Sequence, residues 1–267
     1  MLGNIAVILR GHVRTWHLIY KNVFEFYETI AKNVDYYWFT WDTDKDYMMR
    51  NSFIGRNLVA YHTFNNAPFF QNSWRSAAYL NYMALYFIKE NNKQKPYDAI
   101  IDTRPDVLSE LGYGQFKITE PKKVLVTNLE VHNCLKTKKR ELAIPDHFIV
   151  YPDIELLEKM CSRMYSEADS GNQVELVKLI YKHGYQIQTC QNIESRIIRP
   201  NLANYFNIHE PLNTSEVLKK YSEMQHNWMN ELTPEEKIKI CRNLHVDVND
   251  YDSGDPGRPH STLARIW

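Results

Sequence analysis

The chain has 267 residues, 44% of them hydrophobic, and its 32 basic and 32 acidic side chains cancel to a formal net charge of zero. That length supports one large domain or a domain with a helical appendage. The balanced charge excludes a global attraction to nucleic acid or to an anionic membrane surface.

In chain order, Asn4 to Leu9 reads as a buried strand ending at Arg10-Gly11. Val13 to Asn33 predicts a helix, because Trp16, Ile19, Tyr20, Val23, Phe24, Tyr27 and Ile30 recur at spacings of three and four. Val34 to Trp41 reads as a second strand, closed by Asp42-Thr43-Asp44, and Leu58 to Thr63 as a third. A long helix is expected from Pro68 to Asn91, with Ala77, Leu80, Ala84, Phe87 and Ile88 on one face. Tyr97 to Asp102 and Lys123 to Thr127 are further strands. The alternation predicts parallel βαβ units, hence an α/β fold with a mostly parallel sheet flanked by helices. The second half reads as more helical. A short strand from His147 to Tyr151 precedes helices starting near Asp153 and Asn172, and Tyr185 to Cys190 and Arg196 to Arg199 are short strands. Thr233-Pro234-Glu235-Glu236 is a helix start with Thr as cap and Pro at the first helical position. The turn-rich tail follows. No linker divides the chain, so a single domain over 1–267 is expected, with a ligand-binding half to about 130, a second half to about 210 and a helical extension beyond.

The early strands share one property: each ends in charge, at Arg10, at Asp42 and Asp44, and at Asp102 to Asp106. In open α/β sheets, ligands bind in the crevice beyond the carboxyl ends of the strands. Asp102-Thr103-Arg104-Pro105-Asp106 delivers two carboxylates and a guanidinium there, which suits a divalent cation and a phosphate. The bland alternative is a surface turn with Pro105 as breaker and the charges solvated. Gly11-His12-Val13-Arg14 occupies the first strand-to-helix turn, where backbone amides and the flanking Arg10 and Arg14 make a seat for a pyrophosphate or a base. Trp38-Phe39-Thr40-Trp41-Asp42 sets an acid among aromatics, as in sugar or base recognition and equally as in a core edge. Asp146-His147 pairs a carboxylate with an imidazole.

Other chemistries lack their residues. There is no G-x-G-x-x-G after the first strand and no G-x-x-x-x-G-K-[ST]. No His-x-x-x-His pair and no G-x-S-x-G occur, against zinc hydrolases and serine hydrolases. Cys134, Cys161, Cys190 and Cys241 show no CxxC spacing, which predicts buried free thiols in a reducing compartment. Lys122-Lys123 and Lys138-Lys139-Arg140 read as solvated loop charge. Ile5 to Leu9 is too short for the apolar core of a secretory leader and no stretch can span a bilayer, so a soluble, cytoplasmic protein is expected.

Taken as a set, Arg10-Gly11-His12-Val13-Arg14-Thr15, Phe39-Thr40-Trp41-Asp42, Tyr97 to Ile101 with Thr103-Arg104-Pro105-Asp106-Val107, Asp146-His147-Phe148 and Ile197 to Asn201 resemble glycosyltransferase-like proteins. Such proteins occur in large DNA viruses, which would place this one in host cytoplasm, and in bacterial surface-polysaccharide clusters. The resemblance spans most of residues 1–200. It implies a GT-A fold, a UDP- or GDP-sugar donor, a glycan or other hydroxyl acceptor, and Mn²⁺ or Mg²⁺ on an Asp-x-Asp-like acid. Arg10, Gly11, His12, Arg14, Thr40, Trp41, Asp42 and Arg104 would then contact the donor, and Asp102 and Asp106 would hold the metal at a solvent-facing strand end. His147 and Trp74 would meet the acceptor. Asp146 would be the general base if transfer inverts the anomeric centre, with Asp42 and Asp44 as rivals. The pattern departs at Arg104, which stands where an acid is expected and could itself take the phosphate charge. Two alternatives stay open: a nucleotidyl- or phosphate-ester transferase, and a non-catalytic carbohydrate-binding protein using Trp38, Trp41 and Trp74 as platforms.

Overall fold

The computed structural model describes residues 1–13, 16–41, 50–64, 73–111, 116, 121–127, 129–133, 140–145, 147–166, 173–190 and 193–197. All belong to the first of two units, Met1–Thr214, the second being Ser215–Trp267.

Strand β1 (Leu2–Gly11) is apolar on both faces from Ile5 to Leu9, and a strand buried on both faces belongs inside a parallel sheet. It pairs in parallel with β2 (Ala31–Trp41) on one edge and with β4 (Ala99–Thr103) on the other. β3 (Asn57–Phe64) extends the sheet beyond β2. On the far side, β9 (Phe148–Tyr151) runs antiparallel to β4, followed by β6 (Lys123–Val126) and β10 (Gln186–Thr189). The seven-stranded order is β10-β6-β9-β4-β1-β2-β3, parallel except for β9.

Helix α1 (Trp16–Ile30) covers one face. Its Trp16 and Phe24 meet Trp38, Tyr36 and Phe53 in an aromatic core, with Trp16 and Trp38 edge to face at 4.7 Å. The opposite face carries α2 (Ser73–Gln94), α3 (Ile154–Ser166) and α4 (Gln173–Lys182), whose Leu80, Ala84, Ile88, Leu156, Leu157 and Ile180 pack on Ala6, Ile8, Tyr37 and Phe39. Asp153 caps α3 by accepting the Leu156 amide at 2.8 Å. Gly184, at φ +78°, ends α4: its amide reaches the Tyr181 carbonyl and that of Tyr185 the Ile180 carbonyl.

Several expected boundaries move. The first helix stops at Ile30, not Asn33, because Ala31 to Asn33 join β2 opposite Leu2 to Asn4, where backbone pairing outweighs helical periodicity. Three strands had no expectation: β5 (Val107–Leu111), β7 (Glu130–Asn133) and β8 (Arg140–Ala143). β7 pairs with β8, so Arg140 begins a strand, while Lys138 and Lys139 lie outside the described residues. β5 pairs with β11 (Ile193–Ile197), which starts three residues before the expected Arg196. Thr233 to Glu236 also lie outside the described residues.

At the amino-terminal edge of the sheet, buried Asp35 accepts hydrogen bonds from Asn57 Nδ2 (2.6 Å), Asn91 Nδ2 (3.0 Å) and Tyr97 Oη (2.6 Å). This carboxylate ties β2, β3 and the end of α2 together.

Burial raises the acidities' pKa values throughout the core. The Tyr27, Tyr36 and Tyr151 hydroxyls and the Cys161 thiol are all pushed up, with loss of solvation the main cause. The folded state therefore keeps protons that the unfolded chain releases above about pH 8.5 for Cys and about pH 10 for Tyr. Stability is fully present below those values and falls as pH rises beyond them, by about 1.4 kcal/mol per pH unit for each group that titrates only when unfolded. Urea midpoints measured from about pH 8 to about pH 11 should drop steeply at the alkaline end; a flat profile would contradict the burial of these groups.

Candidate functional site

The chain runs outward through β1, α1, β2 and β3, then α2 carries it back across the opposite face to β4 on the other edge of β1. Strand order therefore reverses between β1 and β4, the position at which open α/β sheets receive ligands beyond their carboxyl ends. The two segments singled out for charge, Arg10-Gly11-His12 and Asp102 to Asp106, meet at this reversal.

Register explains the first contact. Ile8 lies opposite Asp102, so Arg10, two residues further along, projects from the same face toward α2. Arg10 Nε donates to Asp102 Oδ1 at 2.6 Å and Nη2 to Oδ2 at 3.1 Å. Asn81 of α2 adds a bond from Nδ2 to Asp102 Oδ2 at 2.8 Å. Arg10 is 4% exposed and Asp102 1%. The negative charge of Asp102 adds to burial in keeping the nearby Tyr151 hydroxyl and Cys161 thiol protonated.

The second contact repeats the device on a turn. The Val107 amide donates to the Arg104 carbonyl at 3.1 Å, closing a turn with Pro105 in the position its fixed φ favours. Across that turn Arg104 Nε and Nη2 donate to Asp106 Oδ1 and Oδ2, each at 2.9 Å. Asp106 is fully buried, whereas 16% of the Arg104 side chain is exposed. The turn expected from Pro105 is present, and its charges are paired instead of solvated.

These pairs correct the expectation that Asp102 and Asp106 sit at a solvent-facing strand end. A hard cation needs six or more oxygen ligands, several of them usually waters. Two buried carboxylates, each already engaged by a guanidinium fork, do not offer that shell. Among the described residues no group of three His, Cys, Asp or Glu side chains is placed to hold a metal ion. The donor set present does not fit Mn²⁺ or Mg²⁺ on Asp102 and Asp106.

The other expected residues separate into three groups. Gly11 (φ +105°) and exposed His12 lie at the mouth of the reversal, and the space around Gly11 where a side chain would begin is open. Thr40, Trp38 and Trp41 are in the core: Thr40 Oγ1 accepts the Trp38 indole N–H at 3.0 Å, and Trp41 packs on Phe64. With Trp38 0% and Trp41 7% exposed, neither can serve as a sugar platform. His147 is buried, and its carbonyl accepts from Thr103 Oγ1 at 2.8 Å. Arg14, Asp42, Asp44 and Asp146 lie outside the described residues, as does the side chain of Trp74 in the first turn of α2.

Asn81 was not anticipated, although a signal exists. It falls on the apolar stripe formed by Leu80, Ala84, Leu85 and Ile88, where a buried polar side chain needs a partner. The stripe itself also shifts from expectation, since Phe87 is exposed. A cavity of about 270 Å³ opens at the opposite edge of the sheet, where Lys32, Asp35, Tyr36, Arg56, Asn57 and Lys95 are among its lining residues, and shares no residue with the reversal.

No model of a known protein family matches the chain, and no curated protein does. Among solved structures, a mannosyltransferase from Pyrobaculum calidifontis in complex with GDP-Man and Mn²⁺ is similar at 11% identity, with a TM-score of 0.42. The likeness covers 70% of this chain and 54% of that one, so the chain spans about half the length of that enzyme. At that level the likeness defines neither fold nor activity. Among the described residues no helix is long and apolar enough to cross a membrane.

Truncating one partner of the deep pair should be far worse than replacing both. Asp102→Ala takes the bidentate carboxylate from a buried guanidinium and should cost about 3–5 kcal/mol, whereas the double variant Arg10→Met/Asp102→Leu should recover most of that loss. Urea denaturation of the two variants tests this, and equal losses would show that the pair is not the buried unit described.

Proposed function

We propose that this chain is a GT-A-type glycosyltransferase, which moves a sugar from a nucleotide-diphosphate donor to a hydroxyl of a glycan or other acceptor. The observation that supports it is the pairing of Arg10, at the end of β1, with Asp102, on the strand that leads into the Arg104–Asp106 turn, at the β1/β4 reversal. Two of the motifs quoted for the family resemblance, those at the ends of β1 and β4, are joined there by Arg10 and Asp102, at the edge of the sheet suited to a nucleotide.

Departure of the diphosphate is the chemical problem. Glycosyl transfer passes through an oxocarbenium-like state while negative charge grows on the leaving group. Fixed donors aimed at that charge, in a site closed to water, lower the barrier most. Arg104 is such a donor: its planar fork is held by Asp106 and part of its side chain faces out of the core. Gly11 leaves its backbone open to close approach. Asp146 remains the proposed base for an inverting reaction. Its chain neighbour His147 accepts through its carbonyl from Thr103 Oγ1, at the end of β4. The exposed His12 is assigned to the donor side.

Thermal-shift screening with UDP-, GDP- and CMP-sugars should find one nucleotide series that raises the melting temperature, with release of the free nucleotide on adding acceptor. Asp146→Asn should then keep donor affinity and lose about two to four orders of magnitude in turnover, the range for a missing general base. Turnover of nucleoside triphosphates with no response to any sugar nucleotide would replace this reading with a phosphate-ester transferase.

A further inference from the structure

We propose that Asp102 and Asp106 are positioning residues for Arg10 and Arg104, so that the crevice meets a diphosphate with guanidinium charge carried by the fold and not with a divalent ion on these acids. The proposal rests on the reading of the crevice as a nucleotide-diphosphate site and assigns its charge.

Four observations carry it. Both carboxylates use both oxygens on an Arg fork, through Nε and Nη2 in each case. A fork held along that edge has its plane fixed, and its far end points away from the acid; bidentate pairing of this kind gives geometric as well as electrostatic definition. Second, the burial is asymmetric in the turn. Asp106 is sealed, while Arg104 keeps 16% of its side chain exposed, so the arginine is the member of that pair that reaches the surface. Third, a dication on Asp102 and Asp106 would have to displace both forks from these oxygens and would sit beside two guanidinium charges. That arrangement gives up the two bidentate pairings and adds like-charge repulsion.

The fourth observation is Asn81. Its Nδ2 is committed to Asp102, and its buried Oδ1 has no hydrogen-bond partner. An unsatisfied buried acceptor is costly and offsets much of what the bond to Asp102 contributes. Fixing the orientation of Asp102, and through it Arg10, accounts for an amide there. Arg104 is the phosphate-facing member of the set, and Arg10, Asp102 and Asn81 form the rigid support beneath the reversal.

Two measurements on the full chain test this. Mn²⁺ binding, followed by the electron paramagnetic resonance signal of the free ion, should be the same in wild type and in Asp106→Asn, with circular dichroism confirming that the variant folds. Calorimetric titration with UDP and GDP should give an affinity in EDTA within about twofold of that in Mn²⁺. Arg104→Lys, which keeps the charge and loses the fork, should weaken that affinity by about tenfold. Mn²⁺ affinity that falls in Asp106→Asn, or nucleotide binding that requires Mn²⁺, overturns the proposal. If neither nucleotide binds under any condition, the glycosyltransferase reading fails, and the Mn²⁺ titration still decides whether Asp106 is a ligand.

Discussion

Two opposite charges buried between the central strands constrain much of this architecture. Arg10 on β1 and Asp102 on β4 can meet only if the strands pair with Ile8 opposite Asp102. A slip of one residue would turn Asp102 to the α1 face, where Tyr27, Thr103 and Phe148 are packed, and take its carboxylate away from buried Arg10. The apolar residues of β1 do not discriminate so sharply, because Ile5 to Leu9 are buried on both faces and tolerate either orientation. The ion pair therefore specifies register where hydrophobic pattern cannot. Buried pairs are retained for specificity of this kind more readily than for net stability.

The same constraint reaches into α2. Asn81 must stand over Asp102, which sets the rotation of that helix, and the remaining stripe of Leu80, Ala84 and Ile88 then falls on the sheet. At the other end of the helix, Asn91 and Tyr97 converge on Asp35. Two carboxylates, one at each edge of the sheet, thus clamp one long helix and the strand that follows it. Among the described residues, the carboxyl-terminal edge is the one with two bidentate arginine–carboxylate forks, the second with Arg104 partly exposed. That difference is why the ligand-binding role is assigned to one edge although both carry buried charge.

Parallel strands in the first half were legible in the amino-acid order because local signals agreed: apolar runs of five or six residues, helical spacing between them, and charge where each strand stops. The sites of Arg10 and Asp102 at strand ends followed from the same alternation; that the two strands are neighbours did not. The strands β5, β7 and β8 were not legible. Val107–Leu111 and Arg140–Ala143 carry polar or charged residues within stretches of four or five, too short for a period to show, and they exist because β11 and β7 supply the missing hydrogen bonds. The antiparallel direction of β9 was likewise invisible, since direction is a property of the pairing and not of Phe148 to Tyr151.

Residue types at the strand ends could be read directly: which side chains are charged, where the chain turns at Pro105, and that no nucleotide-binding glycine motif is present. Whether a carboxylate there faces water, a metal or an arginine could not. Asp102 and Asp106 have the sequence positions of ligands, and in the fold each is engaged by an arginine, Arg10 at 92 residues' separation and Arg104 at two. Trp38, Thr40 and Trp41 likewise have the composition of a sugar site and the burial of a core. The physical reason is common to all of them. Charge and aromaticity belong to the residue, but solvation and pairing belong to whatever the fold packs against it, and those neighbours come from distant strands and from the opposite face of a helix.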